Sequence, residues 1–522
     1  MFKDHPRGLQ VLFFTEMWER FGYYLMLGIF VLYMTDAERG GLAFDTGPAN
    51  DIYGWFIALV YLTPFLGGLI ADRFLGYRKS IVTGGLLMAA GYLGLGIFPG
   101  IAAFYLSLAL IVFGNGFFKP NISAIVGRLY PEGSPLKDSG YNIFYMGINI
   151  GAFVCNFVAA ILRNRFGWGW AFSAAGVGMV IGVVWFLWGQ RHLAEVEDRG
   201  DGAPVSENAL GKLLAQIFLP AVVAGLVGYA LSSMFAFEAY MTFFTPANTA
   251  FVFAVIPIVI YYLLVLVRAS EAERGPIGAL LAIFAVVIVF WMIFHQNGNT
   301  LTLWARDYTD RQAGALAPVL EVLYMDQQAT DRYWSNVPPE QRPDPGEETT
   351  LISTELFQSI NPLCIILFTP LVVGFFGWLR QRNKEPSTPA KITWGLIITA
   401  ASTFLMVIAV RVTHGGEIKA SPGWLIGTYA IVTVGELCLS PMGLALVSKL
   451  SPTRVTGLMM GGWFLSTAIG NKMSGVIGGL WDKIPLEGIF WINGLSALAA
   501  AGVLAVLVPW IRRVMRKSID AH

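Results

Sequence analysis

Glu16-Met17-Trp18-Glu19-Arg20-Phe21-Gly22-Tyr23-Tyr24 decides how this chain is read. Three ionisable residues stand inside an otherwise apolar segment running from about Gly8 to Tyr33. That segment is long enough to cross a bilayer, which takes roughly 20 apolar residues. Glu16, Glu19, Arg20 and Tyr23 are spaced i, i+3, i+4, i+7, so a helix puts them on one face. A charge at the centre of a membrane helix costs about 2.5–3.5 kcal/mol on insertion scales. Such a stripe faces a protein interior or a wet cavity and not lipid. It reads as a proton or solute site of a carrier, or as a structural ion pair locking helices together.

The rest of the composition agrees with a membrane setting. Of 522 residues, 55% are hydrophobic and 13% charged, where a soluble domain carries about 25% charge. The mean hydropathy is +0.60. The net charge of +1 points to no nucleic-acid partner. Cys155, Cys364 and Cys438 lie in apolar segments without a CxxC or a nearby His, so they read as packing residues, and neither a metal nor a cofactor is expected. Met1-Phe2-Lys3-Asp4-His5-Pro6-Arg7 leads into a long span with no small-residue cleavage site after it, so no signal peptide is expected.

Apolar segments of spanning length recur about fourteen times. Six lie near 8–35, 51–74, 79–99, 101–130, 139–163 and 167–188; two near 211–236 and 248–267; and six near 276–299, 351–379, 392–411, 422–449, 454–480 and 487–511. The pattern predicts an all-α membrane protein. Its six-helix bundle occupies 1–190, a linker with two additional helices 191–274, a second six-helix bundle 275–511 and a tail 512–522. Lys and Arg concentrate in alternate loops: Arg73, Arg78 and Lys79, then Arg128 and Lys137, Arg268 and Arg274, Arg380, Arg382, Lys384 and Lys391, and finally Arg512, Arg513, Arg516 and Lys517. By the positive-inside rule both termini come out cytoplasmic, in a multi-pass protein of the cytoplasmic (inner) membrane. The long outer loop, about 306–350, is rich in Asp, Glu and Pro and reads as flexible or weakly structured. Pro64, Pro120, Pro362, Pro370 and Pro441 inside spans are candidate bending points.

Several polar residues sit where lipid would forbid them. Lys119, in Phe117-Phe118-Lys119-Pro120-Asn121, needs a carboxylate from the protein or from a ligand. Glu436, in Gly435-Glu436-Leu437-Cys438-Leu439-Ser440-Pro441, could hold an amine or titrate. Asn149 and Asn361 are amides, one in each half of the chain, suited to a ligand or to an interhelical hydrogen bond. His295 ends an aromatic run, Phe290 to Phe294, and reads as a gate, a proton carrier or a hydrogen-bonded interface residue. Lys472 is expected to snorkel to the outer interface. Tyr23, Tyr24, Tyr61, Trp291 and Trp463 would wall a cavity if they line one. Asp72 and Arg73 belong to the pattern G-x-x-x-D-R-x-x-G-x-[RK]-[RK] from Gly68, whose role is to hold one conformation closed.

These stretches resemble the proton-dependent oligopeptide transporters of the major facilitator superfamily. The likeness is carried by Glu16-x-x-Glu19-Arg20-Phe21-x-Tyr23-Tyr24, Tyr61-Leu62-Thr63-Pro64 through Lys79, Phe117 to Asn121, Phe144-Tyr145-Met146-Gly147-Ile148-Asn149-Ile150-Gly151, Ser440-Pro441-Met442-Gly443-Leu444 and Gly461-Gly462-Trp463-Phe464. It covers nearly the whole chain apart from the outer loop. The resemblance implies a proton-coupled symporter of di- and tripeptides, monomeric in the lipid bilayer. Glu16, Glu19, Arg20, Lys119, Glu436 and His295 would then serve proton coupling. Tyr23, Tyr24, Tyr61, Lys119, Asn149, Trp291, Asn361, Glu436, Ser440 and Trp463 would hold substrate, and Asp72, Arg73, Leu27 and His295 would gate.

Two positions depart from the family. Where it commonly has an Arg on the first helix this chain has Leu27, and where it has an acid on the seventh span this chain has His295. Losing one member of an outer-gate ion pair would leave a buried charge unpaired, whereas losing both is physically consistent. The outer gate then closes by another contact or responds to histidine protonation. A same-fold carrier of nitrate or an amino-acid conjugate is the alternative. An enzyme or a receptor finds no support: the spans hold no metal-ligand cluster or nucleophile–base constellation, and no sizeable soluble signalling domain is evident.

Overall fold

The computed structural model describes residues 2–131, 134, 136–193, 211, 214–240, 244–344, 348–452 and 455–519. Fourteen long helices occur among them. The first six are α1 (Arg7–Thr35), α2 (Thr46–Ile70), α3 (Tyr77–Ile97), α4 (Ile101–Arg128), α5 (Leu136–Phe166) and α6 (Trp168–Gly189). An inserted pair follows, α7 (Leu219–Phe235) and α8 (Pro246–Val267). The last six are α9 (Glu271–Phe294), α10 (Ile360–Gln381), α11 (Thr388–Val412), α12 (Pro422–Leu450), α13 (Thr456–Gly478) and α14 (Leu486–Ile519). Eleven helices among the described residues are long and apolar enough to cross a membrane by composition. The charged triad keeps α1 below that measure.

Packing sorts the helices into two bundles. α1 packs on α5 and α6, α3 on α4 and α6, and α2 on α4. In the other half α9 packs on α13 and α14, α11 on α12 and α14, and α10 on α12. The bundles meet along two seams, α2 against α13 and α5 against α10. The inserted helices pack chiefly on each other. In α8 only Asn248, Thr249 and Tyr262 are buried among its described residues, and Ile256, Ile260, Leu263 and Val267 face outward, as lipid contact requires.

Small residues bring backbones together where lipid supplies no hydrophobic drive. At Gly67 a methyl group would collide with the carbonyl oxygen of Gly116, so α2 and α4 touch main chain to main chain. Pro64, Pro120 and Pro370 lie inside helices, as expected of bending points. Pro362 stands where a 3-10 turn, Thr354–Ser359, runs without a break into α10, also inside the span.

The outer loop departs from its sequence reading. It carries short helices at Ala317–Val322 and Asp331–Trp334 and an antiparallel pair of strands, β1 (Asp326–Gln328) with β2 (Thr350–Ile352). Asp307 accepts from Arg306 at 2.7 Å and from Arg332 at 3.2 Å, and buried Arg311 donates to the Ile352 carbonyl at 2.7 Å. Three of its charges, Arg306, Asp307 and Arg332, form ion pairs with one another. Lys472 also departs. It is fully buried and does not snorkel, because Asp51 pairs with its ammonium inside the protein.

Candidate functional site

The charged stripe of α1 faces the space between the bundles. Arg20 Nε lies 3.0 Å from Glu16 Oε1 and 2.5 Å from Glu19 Oε2. All three side chains are buried. Asn115 of α4 donates to Glu19 Oε1 at 3.2 Å, so Glu19 stands behind Arg20, out of the cavity. Lys119, one turn further along α4, places Nζ 3.9 Å from the centre of the Tyr61 ring, a cation–π contact that holds a desolvated ammonium. Two carboxylates and two cations thus stand together, formally balanced.

Across the cavity, α12 brings Glu436, buried, with its carboxylate accepting from Asn361 Nδ2 at 3.3 Å. The same amide nitrogen donates to Thr433 Oγ1 at 2.8 Å, which fixes the Asn361 side chain beside the acid. Asn149 donates back to the Tyr145 carbonyl of its own helix at 2.9 Å. The ring of His295 packs on Tyr61 and Trp291, with centroids 5.8 and 5.4 Å away, and its Nδ1 lies 3.2 Å from the Trp291 carbonyl.

These groups enclose one cavity of about 330 Å³, within the roughly 300–1,000 Å³ of small-molecule sites. Glu16, Arg20, Tyr23, Tyr24, Leu27, Tyr61, Lys119, Asn149, Trp291, His295, Asn361, Glu436 and Trp463 all line it. The side chains of Asp72, Arg73 and Ser440 lie outside the described residues. Tyr53, Tyr145, Asn156, Phe294, Asn297 and Gln358 line it as well, and sequence reading passed over them. Tyr145 and Asn156 fall at i−4 and i+7 from Asn149, so the helical face of Asn149 was the signal for both. Tyr53 had none: its hydroxyl meets the His295 carbonyl at 3.2 Å across the bundle seam.

Polar contacts join the bundles at one end of this cavity. Besides Tyr53 to His295, Asn156 donates to Ser359 Oγ at 3.1 Å, Ser359 to the Phe153 carbonyl at 2.8 Å, and Asn471 to the Ile57 carbonyl at 3.3 Å. Arg306 reaches Thr35 Oγ1 at 2.6 Å. All lie toward the end where α1, α5 and α13 finish and where α2 and α10 begin.

The POT family model matches residues 78–320 and 346–492. The chain is 31% identical over 536 residues to the peptide transporter YePEPT of Yersinia enterocolitica, covering 99% of this chain and 96% of that one. It is 29% identical to a di-/tripeptide transporter of Lactococcus lactis, covering 98% and 97%. A solved POT family transporter in complex with a thioalcohol-conjugated peptide superposes with a TM-score of 0.79 at 30% identity, covering 98% of both chains. A peptide transporter POT bound to sulfate gives 0.79 at 31% identity, covering 99% and 97%. Matched along nearly its whole length by these relatives, the chain belongs to the POT family of transporters.

Proposed function

We propose that this protein is a proton-coupled symporter that imports di- and tripeptides across the cytoplasmic membrane by alternating access. One observation carries the reading: a single cavity presents cations from one bundle, Arg20 and Lys119, and a carboxylate with its amide from the other, Glu436 and Asn361. A peptide has one charge of each sign at its ends, and two or three extended residues reach about 7–10 Å. Such a ligand bridges the bundles and draws them together. The carboxylate end meets Lys119 and Arg20, and the ammonium meets Glu436 and Asn361. Asn149 adds polar contacts to the backbone, and Tyr23, Tyr24, Tyr61, Trp291 and Trp463 enclose the side chains.

Protons act on the acids of the same network. Neutralising Glu16 or Glu19 releases Arg20 from its present partners, and neutralising Glu436 weakens its hold on an ammonium. Either change lets the site reopen to the other side. Leu27 and His295 face the solute on the outer side, and Asp72 and Arg73, whose side chains lie outside the described residues, keep the inner-gate role that the resemblance implies. In this reading 1–190 and 275–511 are the moving bundles, 191–274 is the insertion, and both termini, with the tail 512–522, are cytoplasmic, in keeping with the Lys and Arg of alternate loops. The protein acts as a monomer, without metal or cofactor, and moves its solute unchanged.

Displacement of a labelled dipeptide from the purified protein tests the substrate class. Unlabelled di- and tripeptides are expected to compete, while nitrate and an amino-acid conjugate lacking a free ammonium are not. Competition by nitrate with none by peptides would overturn the reading.

A further inference from the structure

The cavity holds no opposite charges at Leu27 and His295, yet the bundles are closed together at the outer end. What closes them is placed elsewhere. On the α2–α13 seam, Asp51 pairs with Lys472. Lys472 has no exposed surface, and a third group, Asn248 Oδ1 of the inserted helix α8, accepts from its ammonium at 3.1 Å. The Trp55 ring lies 5.2 Å from the same nitrogen. The helices approach closely beside it, since a methyl added at Gly54 would stand 2.8 Å from Gly475 Cα. On the α5–α10 seam, Arg163 Nη2 lies 3.1 Å from Glu355 Oε1, with the Glu355 side chain fully buried. Asn164 of the same helix end donates to Ser353 Oγ at 2.8 Å.

We propose that these two ion pairs, Asp51–Lys472 and Arg163–Glu355, are the outer gate of this protein, and that Asn248 makes the inserted helix pair part of it. The inference rests on the alternating-access reading. Each pair joins one bundle to the other, one pair to a seam, so both must part whenever the outer side opens. A static brace would do as well on either side of a seam; these sit only where opening would break them. The route to hydration is also present. Asp51 keeps 28% of its side chain exposed and lines an outer cavity with Asn248, Glu238 and Lys483, so water is at hand when Lys472 is released. Separating buried opposite charges is costly unless each is resolvated, which makes the closed and open arrangements two distinct states. Lys472 holds a buried charge for this purpose where a snorkelling lysine would serve no gate.

Distances between spin labels measure the gate without substrate. Cysteines replace Glu38 and Glu417, exposed outer positions on opposite bundles, with Cys155, Cys364 and Cys438 changed to Ala. The otherwise native protein in proteoliposomes is expected to give mainly the short outer distance. Lys472→Met and Asp51→Asn should each raise the ratio of long to short distances at least tenfold, and Asn248→Ala should raise it less. The Asp51→Lys/Lys472→Asp exchange should restore most of the short population. Unchanged distances in both single variants would overturn the proposal. So would collapse of the fold in Asp51→Asn, whose carboxylate already reaches water, because the pair would then be a structural lock. Because no peptide is present, the outcome is independent of which solute the protein carries.

Discussion

Replacing Glu436 by Gln keeps the shape of the side chain and removes one charge, so it isolates what that charge does for a ligand. In this cavity the carboxylate is buried and accepts from Asn361 at 3.3 Å. An ammonium arriving there meets a largely desolvated anion. Truncating one partner of a buried, hydrogen-bonded charge pair costs about 2–5 kcal/mol. Glutamine keeps an acceptor oxygen, which places the expected loss at the lower end, about 2–3 kcal/mol. At about 1.4 kcal/mol per tenfold, affinity for a free dipeptide should fall about 30- to 140-fold. The assay is equilibrium binding of dialanine and of N-acetyl-dialanine to the native protein and to Glu436→Gln. The acetylated peptide has no ammonium, so the substitution should change its affinity by less than about threefold. Equal losses for both peptides, or no loss for either, would refute the assignment of Glu436 to the amino end.

Other consequences can be checked separately. Gly67→Ala should destabilise the protein by about 1–3 kcal/mol or more through overpacking against Gly116, whereas Gly374→Ala, with open space around it, should leave the melting temperature unchanged. Leu27→Arg alone should leave an unpaired cation in the cavity at a cost of order 3–5 kcal/mol; His295→Glu in the same chain should recover much of the folded yield seen by size-exclusion chromatography. Burial holds the Lys419 ammonium of the outer surface down to about 8 although it donates to the Asp307 carbonyl. The unfolded chain therefore binds the proton more tightly, and Lys419 opposes folding increasingly as pH falls from its ordinary value near 10.5 to about 8. Lys419→Met should melt relatively better at pH 8 than at pH 10.5 when compared with the native protein, and a pH-independent difference would contradict this.

Much of this was legible before any coordinates. A charged stripe inside an apolar run belongs in a protein interior or a wet cavity, and the family resemblance gathered Glu16, Arg20, Lys119 and Glu436 into one site, whose shared cavity they do line. Pro64, Pro120 and Pro370 were likewise placed inside spans, and the structure puts them inside helices. What stayed hidden depends on pairing across sequence distance. Lys472 looked interfacial because its partners, Asp51 and Asn248, come from two other helices. Arg332 pairs with Asp307 only because the loop folds back on itself across 25 residues of sequence. Tyr53 carries no charge and no periodic mark, and only its contact with the His295 carbonyl reveals it.

The most direct test is uptake of a radiolabelled dipeptide into proteoliposomes of the purified protein, with the outside made acidic relative to the lumen. The account predicts accumulation above the external concentration, collapse of that accumulation by a protonophore, and its loss in Glu436→Gln. Uptake that only equilibrates across the membrane and is indifferent to the proton gradient would contradict it.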